Sequence, residues 1–283
     1  MKEFLDFLKK TPLVTGILAL LITIGGIQLV STDGMFASGL QRFILAFAMG
    51  AFLYLISKEK TFEKSTWKTA GYVIKHLLGF IIFAFAILLM LWGVYIYQKK
   101  PVNANWPLEM LSTMFFALGV GFFEEMIFRA VLIDAIIYQF RKCKGVFVIA
   151  ALASSFIFGF VHVMFEDFTD PSILPSIILK TVSTGMMGLA FAFLYWKTRN
   201  ILALAIVHAL YDLFPVLPGV YFDADQKLGN YASSGFGNIL WYTVQIVCEI
   251  FFLIYIVVKV VKKTDFKVFI VQDVMQLWRD LKK

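Results

Sequence analysis

Apolar residues in this chain do not alternate and do not stripe one face of short helices. They run on almost unbroken for 17 residues or more, then give way to short polar stretches. A hydrocarbon core of about 30 Å takes about 20 helical residues to cross. Eight stretches approach or exceed that length: Leu13–Val30, Ser38–Ser57, Ala70–Tyr97, Pro107–Phe140, Gly145–Phe165, Ser172–Trp196, Ile201–Leu217 and Phe236–Val261. The pattern predicts an all-α polytopic membrane bundle of about eight transmembrane helices, with nothing that reads as a strand. The fourth stretch is too long for one straight crossing, so it tilts, breaks near Gly119 and Gly121, or extends beyond the bilayer. The seventh is short and is expected to end at Pro215 and Pro218. Both ends of the chain carry helical patterns with one apolar face. Met1, Phe4, Leu5 and Leu8 form one such face, and Phe269, Ile270, Val274, Leu277, Trp278 and Leu281 the other. Amphipathic helices at both termini, lying in the membrane interface, are the expectation.

Composition agrees with lipid as the main solvent. Of 283 residues, 60% are hydrophobic and 16% charged, against about 45–50% apolar in soluble domains. A net charge of +7 could suggest nucleic acid as a partner, but the placement of the charges argues otherwise. With the N-terminus inside, four of the 26 Lys and Arg fall on the outer side (Arg42, Lys99, Lys100, Lys227) and two within spans (Arg129, Lys180). The other twenty lie inside. That bias sets both termini in the cytoplasm and makes an anionic inner leaflet, not nucleic acid, the partner of the positive charge. The first apolar run is long for a signal peptide and lacks a clear cleavage pattern, so it reads as a retained span. Cys143 and Cys248 are far apart and suggest no disulfide. The layout is one membrane domain over 1–283, with core spans at 107–217 and a cytoplasmic tail at 262–283. The small size and Lys- and Phe-rich bias point to a bacterial cell membrane.

Ionisable residues inside spans carry the chemistry, because each costs at least about 2.5–3.5 kcal/mol near the bilayer centre. The fourth span holds Glu124, Glu125 and Arg129 within six positions. Glu125 and Arg129 are four apart and share a helix face, so they can pair. Glu124 points about 100° away and lacks that partner, and a partly desolvated carboxylate suits a general base. The plainer reading is a salt-bridge cluster that joins helices. His162 ends the fifth span, and His208 with Asp212 sits four apart in the seventh. One intramembrane histidine is usually structural. Two of the chain's three, beside two Glu and an Arg, point to a shared polar cavity.

The order Glu-Glu-x-x-x-Arg, Phe-x-x-x-His, His-x-x-x-Asp, each motif in its own span, resembles the CPBP (Abi) family. This family includes CAAX prenyl endopeptidases of the Rce1 type and bacteriocin-processing or immunity proteins. The resemblance covers Pro107–Leu217. It implies an intramembrane endopeptidase acting on a membrane-anchored protein or peptide. Glu124 would activate water with help from His162, Glu125 and Arg129 would orient the site, and His208 and Asp212 would stabilise the oxyanion. Asn is the more familiar residue at the last position. An ionised Asp212 would repel an oxyanion, so Asp212 must be protonated, hold His208, or bind a metal. The reading taken needs no metal. Zinc, held by Glu124, His162 and His208, is the alternative, although no His-Glu-x-x-His signature is present.

Other intramembrane polar residues receive ordinary readings. Asp134 lies one turn beyond Arg129 and is placed to neutralise it. Glu166 could orient His162, or be a solvated loop acid. Lys180 snorkels or meets an acid, and Glu249 pairs with Lys180 or lines the cavity. Gly185 and Gly188 allow close helix packing. Two other functions stay open: a proton-coupled transporter, which the missing repeat disfavours, and a non-catalytic scaffold or immunity protein.

Overall fold

The computed structural model describes residues 2–29, 32–57, 63–143, 145–224 and 235–262. The amphipathic tail expected beyond 262 and most of the loop before the last span lie outside the described residues. Within them the fold is all-α, with no strand. A short helix α1 (Lys2–Lys10) leads into α2 (Pro12–Leu29), α3 (Met35–Ser57) and α4 (Trp67–Tyr97). Then come α5 (Trp106–Glu125), α6 (Asp134–Gln139), α7 (Val146–Val161), α8 (Leu174–Thr198), α9 (Ile201–Tyr221) and α10 (Phe236–Ile256). Six helices are long and apolar enough to cross a membrane: α2, α3, α4, α8, α9, and α10 with its continuation to Val261. The chain is thus a multi-pass membrane protein. Trp106–Gln139 and Val146–Val161 pack among these six.

The distribution of side chains is inverted relative to a soluble domain. Ile22 is 68% exposed while Glu125 and Glu249 are 0% exposed. Apolar side chains cover the outside, where lipid is the solvent, and the ionisable ones turn inward, where only other protein groups can satisfy them.

The fourth span does not break at its glycines. α5 starts with Pro107 in its first turn, where a missing N–H costs nothing. It runs through Gly119 and Gly121 to Glu125, and continues without interruption as a π-helical segment, Met126–Ile133, into α6. The irregularity falls immediately after the glutamate pair, and all eight π residues are buried. Wider π turns leave carbonyls poorly matched, and Ser154 Oγ of α7 donates to one of them, Phe128 O, at 2.9 Å.

The glycines serve close approach instead. A Cβ on Gly121 would strike Ala205 O and come within 3.0 Å of Ala209 N, so α5 can lie directly on α9. Gly159 plays the same part between α7 and α8, where a Cβ would strike Thr181 O. Gly185 and Gly188 face Ser155 and Phe158 across that interface, as their spacing suggests. The seventh span is also longer than its prolines imply: α9 carries Pro215 and Pro218 inside the helix and ends at Tyr221. Each proline deletes one N–H from the helical ladder, yet the helix runs on through both.

At one end of the bundle, Arg199 pairs with Asp134, and Tyr195 Oη donates to the same carboxylate at 3.1 Å. Asp134 therefore neutralises Arg199, not Arg129. Its position eight residues past the π start turns it toward α8. Asn200 Nδ2 donates to Thr66 O and Thr69 Oγ1 at 3.1 and 2.8 Å. At the opposite end, Asn103 N donates to Tyr221 O at 2.9 Å and Trp92 stacks on Tyr221.

Candidate active site

Three helices, α5 with its π-helical continuation, α7 and α9, bring together every residue singled out in the motifs. Glu124 and Glu125 end α5, and Arg129 follows in the π segment. His162 caps the C-terminus of α7, and His208 and Asp212 lie on one face of α9.

Glu125 is the buried centre. Its Oε2 forms an ion pair with Arg129 Nε at 3.0 Å, with both side chains essentially inaccessible. Its Oε1 accepts a hydrogen bond from His208 Nδ1 at 2.9 Å. Arg129 also lies over the rings of Phe158 and Phe191, at 4.6 and 5.8 Å from their centroids, and reaches Gly188 O at 3.4 Å. A guanidinium sandwiched on aromatic faces and joined to a carboxylate is held in one position without water.

His162 is oriented by its own helix. Its Nδ1 lies 2.7 Å from Phe158 O, one of the carbonyls left open at a helix end. A carbonyl can only accept, so Nδ1 carries the hydrogen and Nε2 turns toward Glu124. Phe158 explains the Phe-x-x-x-His spacing. Its carbonyl aims His162, while its ring packs edge-on against His162 and His208 at 4.8 and 5.8 Å and lies beneath Arg129. The Phe158 carbonyl is thus an orienting group of His162.

Glu124 stands where the two imidazoles converge. Its Oε2 is 3.8 Å from His162 Nε2 and 3.5 Å from His208 Nε2, and makes no hydrogen bond in the protein. Asp212 Oδ2 sits 3.4 Å from His208 Nε2. Three carboxylates therefore face the two nitrogens of His208, so a protonated ring would donate on both sides. Glu124, His162, His208 and Asp212 all open onto one cavity of about 540 Å³. A gap of 3.8 Å is too wide for a direct hydrogen bond.

The cavity has members that the motifs did not mark. Lys180 of α8 lines it, with Nζ 5.8 Å from the Tyr242 ring centroid, so it neither snorkels away nor stands outside the site. Glu249 of α10 lines it too, fully buried. Tyr211 Oη donates to Glu249 Oε1 at 3.0 Å, and Gln245 Nε2 donates to the same oxygen at 3.1 Å. The signal for this second cluster lay in the sequence as Gln245 and Glu249 four apart in an otherwise apolar span. Among the described residues, no group of three or more His, Cys, Asp or Glu is placed so as to hold a metal ion.

Residues 104–214 match the model of one family, described as type II CAAX prenyl endopeptidase, Rce1-like. The match covers less than half of the chain but includes Glu124, Glu125, Arg129, His162, His208 and Asp212. No curated protein and no solved structure matches the chain.

Proposed function

On the premise that residues 104–214 are Rce1-like, we propose that this chain is an intramembrane endopeptidase that hydrolyses a peptide bond of a membrane-anchored protein or peptide. The family description makes a prenylated CAAX C-terminus the first substrate class to examine. The observation that carries the reading is the unpaired Oε2 of Glu124, flanked at 3.8 and 3.5 Å by two imidazole Nε2 atoms at the wall of a cavity.

The chemistry follows from those positions. A water between Glu124 Oε2 and His162 Nε2 gives one proton to the glutamate, and its oxygen attacks the scissile carbonyl carbon. The carbonyl electrons move to oxygen, and the oxyanion meets a protonated His208 at Nε2. Glu125 on Nδ1 holds that ring, and Arg129 in turn holds Glu125. Asp212 acts through His208, keeping its Nε2 in place. Collapse of the tetrahedral intermediate breaks the C–N bond. The proton taken by Glu124 passes to the leaving nitrogen, giving an amine and a carboxylic acid, which then releases the second water proton to solvent as it ionises. Zinc held by Glu124, His162 and His208 is the alternative, and no step here runs through a metal. Chelator treatment together with metal analysis of the purified protein separates the two.

The basic stretches around Lys64, Arg141 and Lys197, together with α1, belong to the end of the bundle joined by Asp134–Arg199 and Thr66–Asn200. This supports placing that end, and the N-terminus, in the cytoplasm against an anionic leaflet. The test of function is direct. Full-length protein in lipid nanodiscs should cleave a fluorogenic peptide ending in a farnesylated CAAX sequence, and Glu124→Gln should abolish cleavage while leaving the fold intact. Unchanged turnover in Glu124→Gln rejects the assignment.

A further inference from the structure

Pro12 lacks the N–H that would carry α1 straight on into α2, and the helix breaks at Thr11. The carbonyl left open, Leu8 O, accepts instead from Thr15 Oγ1 at 2.8 Å, and the Leu8 side chain is buried. These contacts keep α1 docked beside the turn that joins α6 to α7. That turn is held by its own backbone. Cys143 N donates to Phe140 O at 2.8 Å, Val146 N donates to Cys143 O at 3.3 Å, and Gly145 takes the left-handed conformation at φ +77°. Between the two elements lies a second cavity of about 620 Å³, which shares no lining residue with the one that holds Glu124.

The walls of this cavity are unbalanced in charge. α1 contributes Lys9 and Lys10, the turn contributes Arg141 and Lys142, and the acid facing them is Asp6, 4.0 Å from Lys9. Among the described residues, Lys10, Arg141 and Lys142 have no acidic partner. Arg141 is held in one position. Its Nη1 donates to Tyr138 O at 2.9 Å and its guanidinium lies 4.4 Å over the Tyr138 ring, which leaves most of its N–H donors for a ligand. Cations gathered on facing walls repel one another, and an anion between them turns that repulsion into attraction.

The level of the cavity says which anion. It sits where α2 and α7 begin, at the boundary between polar chain and apolar span. Within three turns of that boundary, Leu18 and Leu21 of α2 and Ile149 and Leu152 of α7 are exposed, so they face hydrocarbon. A cationic hollow capping lipid-facing helices fits a molecule with an anionic head and hydrocarbon tails. We propose that this cavity binds the phosphate headgroup of an anionic glycerophospholipid. Lys10, Arg141 and Lys142 donate to the phosphate oxygens, and the acyl chains lie against α2 and α7. The proposal is independent of the peptidase reading. A lipid seated here ties α1 to the far end of the helix that carries Glu124 and Glu125. α2 already meets that end closely, since a Cβ on Gly16 would come 2.8 Å from Ala135 Cβ.

Native mass spectrometry of the full-length protein tests this. The protein is titrated in detergent with phosphatidylglycerol or with phosphatidylcholine of the same acyl chains. We expect phosphatidylglycerol to bind at least about tenfold more tightly. Each basic residue near an anionic lipid is worth about fivefold in affinity, so Arg141→Gln/Lys142→Gln should raise Kd for phosphatidylglycerol by about 10- to 30-fold. Asp6→Asn should lower it by about two- to fivefold. Lys68→Gln/Lys75→Gln removes the same charge from α4, outside the cavity, and should leave Kd within about twofold. Thermal melting in phosphatidylcholine checks that every variant is folded. Equal affinity for the two lipids overturns the proposal. So does an equal loss in the α4 variant, which would reduce the effect to diffuse surface attraction. Displacement of phosphatidylglycerol by millimolar inorganic phosphate would make this a site for a free anion and overturn the lipid assignment.

Discussion

Arg129 offers the sharpest test of how the site is held together. It is 1% exposed, sits 3.0 Å from Glu125, and lies over Phe158 and Phe191. Replacing it with Met keeps much of the volume and removes the charge. Glu125 then stands 0% exposed with His208 Nδ1 as its one remaining donor. Removing one partner of a buried ion pair costs about 3–5 kcal/mol, most of it the burden of the stranded charge. Glu125→Gln should cost a similar amount, because it strands the guanidinium. The double variant Arg129→Met/Glu125→Gln strands nothing, and the Gln oxygen can still accept from His208 Nδ1. It should recover to within about 1–2 kcal/mol of the original protein, leaving a coupling of about 3 kcal/mol or more. Equilibrium unfolding in bicelles, followed by steric trapping, measures all four corners of the cycle. Single-variant losses below about 1 kcal/mol, or a double-variant loss equal to the sum of the singles, would refute the picture of a dry, mutually dependent pair.

Other outcomes follow from individual contacts. His162→Ala should lower kcat about 10²- to 10⁴-fold with little change in peptide Kd, the scale for a lost proton-transfer partner; an equal loss in affinity would assign His162 to binding. Gly121→Ala should destabilise the protein by about 1–3 kcal/mol and reduce turnover, because the new methyl meets the α9 backbone three residues from Glu124; unfolding and kinetics indistinguishable from the parent would contradict the close approach. Asp134→Asn should cost about 1–3 kcal/mol in the same unfolding assay, since Arg199 and Tyr195 both rely on that carboxylate, and a neutral result would mark the pair as incidental.

Pairs within one helix were legible in the sequence, because four residues make about one turn. Glu125 with Arg129, and His208 with Asp212, needed no tertiary information. Long apolar runs likewise announced the spans. Contacts between helices were not legible, since they depend on how α5, α7, α9 and α10 rotate against one another. Glu125 to His208 spans 83 positions, and Tyr211 to Glu249 spans 38. The expectation that Asp134 would serve Arg129 assumed regular α turns between them, and the intervening stretch is π-helical. The prolines of α9 misled for a related reason. Their effect on a helix depends on whether neighbours hold the weakened turn, and aromatic packing at Phe214 and Tyr221 does so. Glu249 was visible as an expensive residue in lipid, but nothing in the linear order said which wall of which cavity it would face.

The eight π-helical residues after Glu125 also bear on how this chain can vary in length. A π turn holds more residues than an α turn, so the stretch behaves like an α-helix that has absorbed an extra amino acid. Deleting a single residue from it would therefore let the turns tighten into a regular α-helix while the portion beyond keeps its facing, so that Asp134 still meets Arg199. Deleting a residue from the regular turns on either side, which hold no such slack, would swing the portion beyond by about 100° around the helix axis. A one-residue gap among related chains should be tolerated in this stretch and purged outside it.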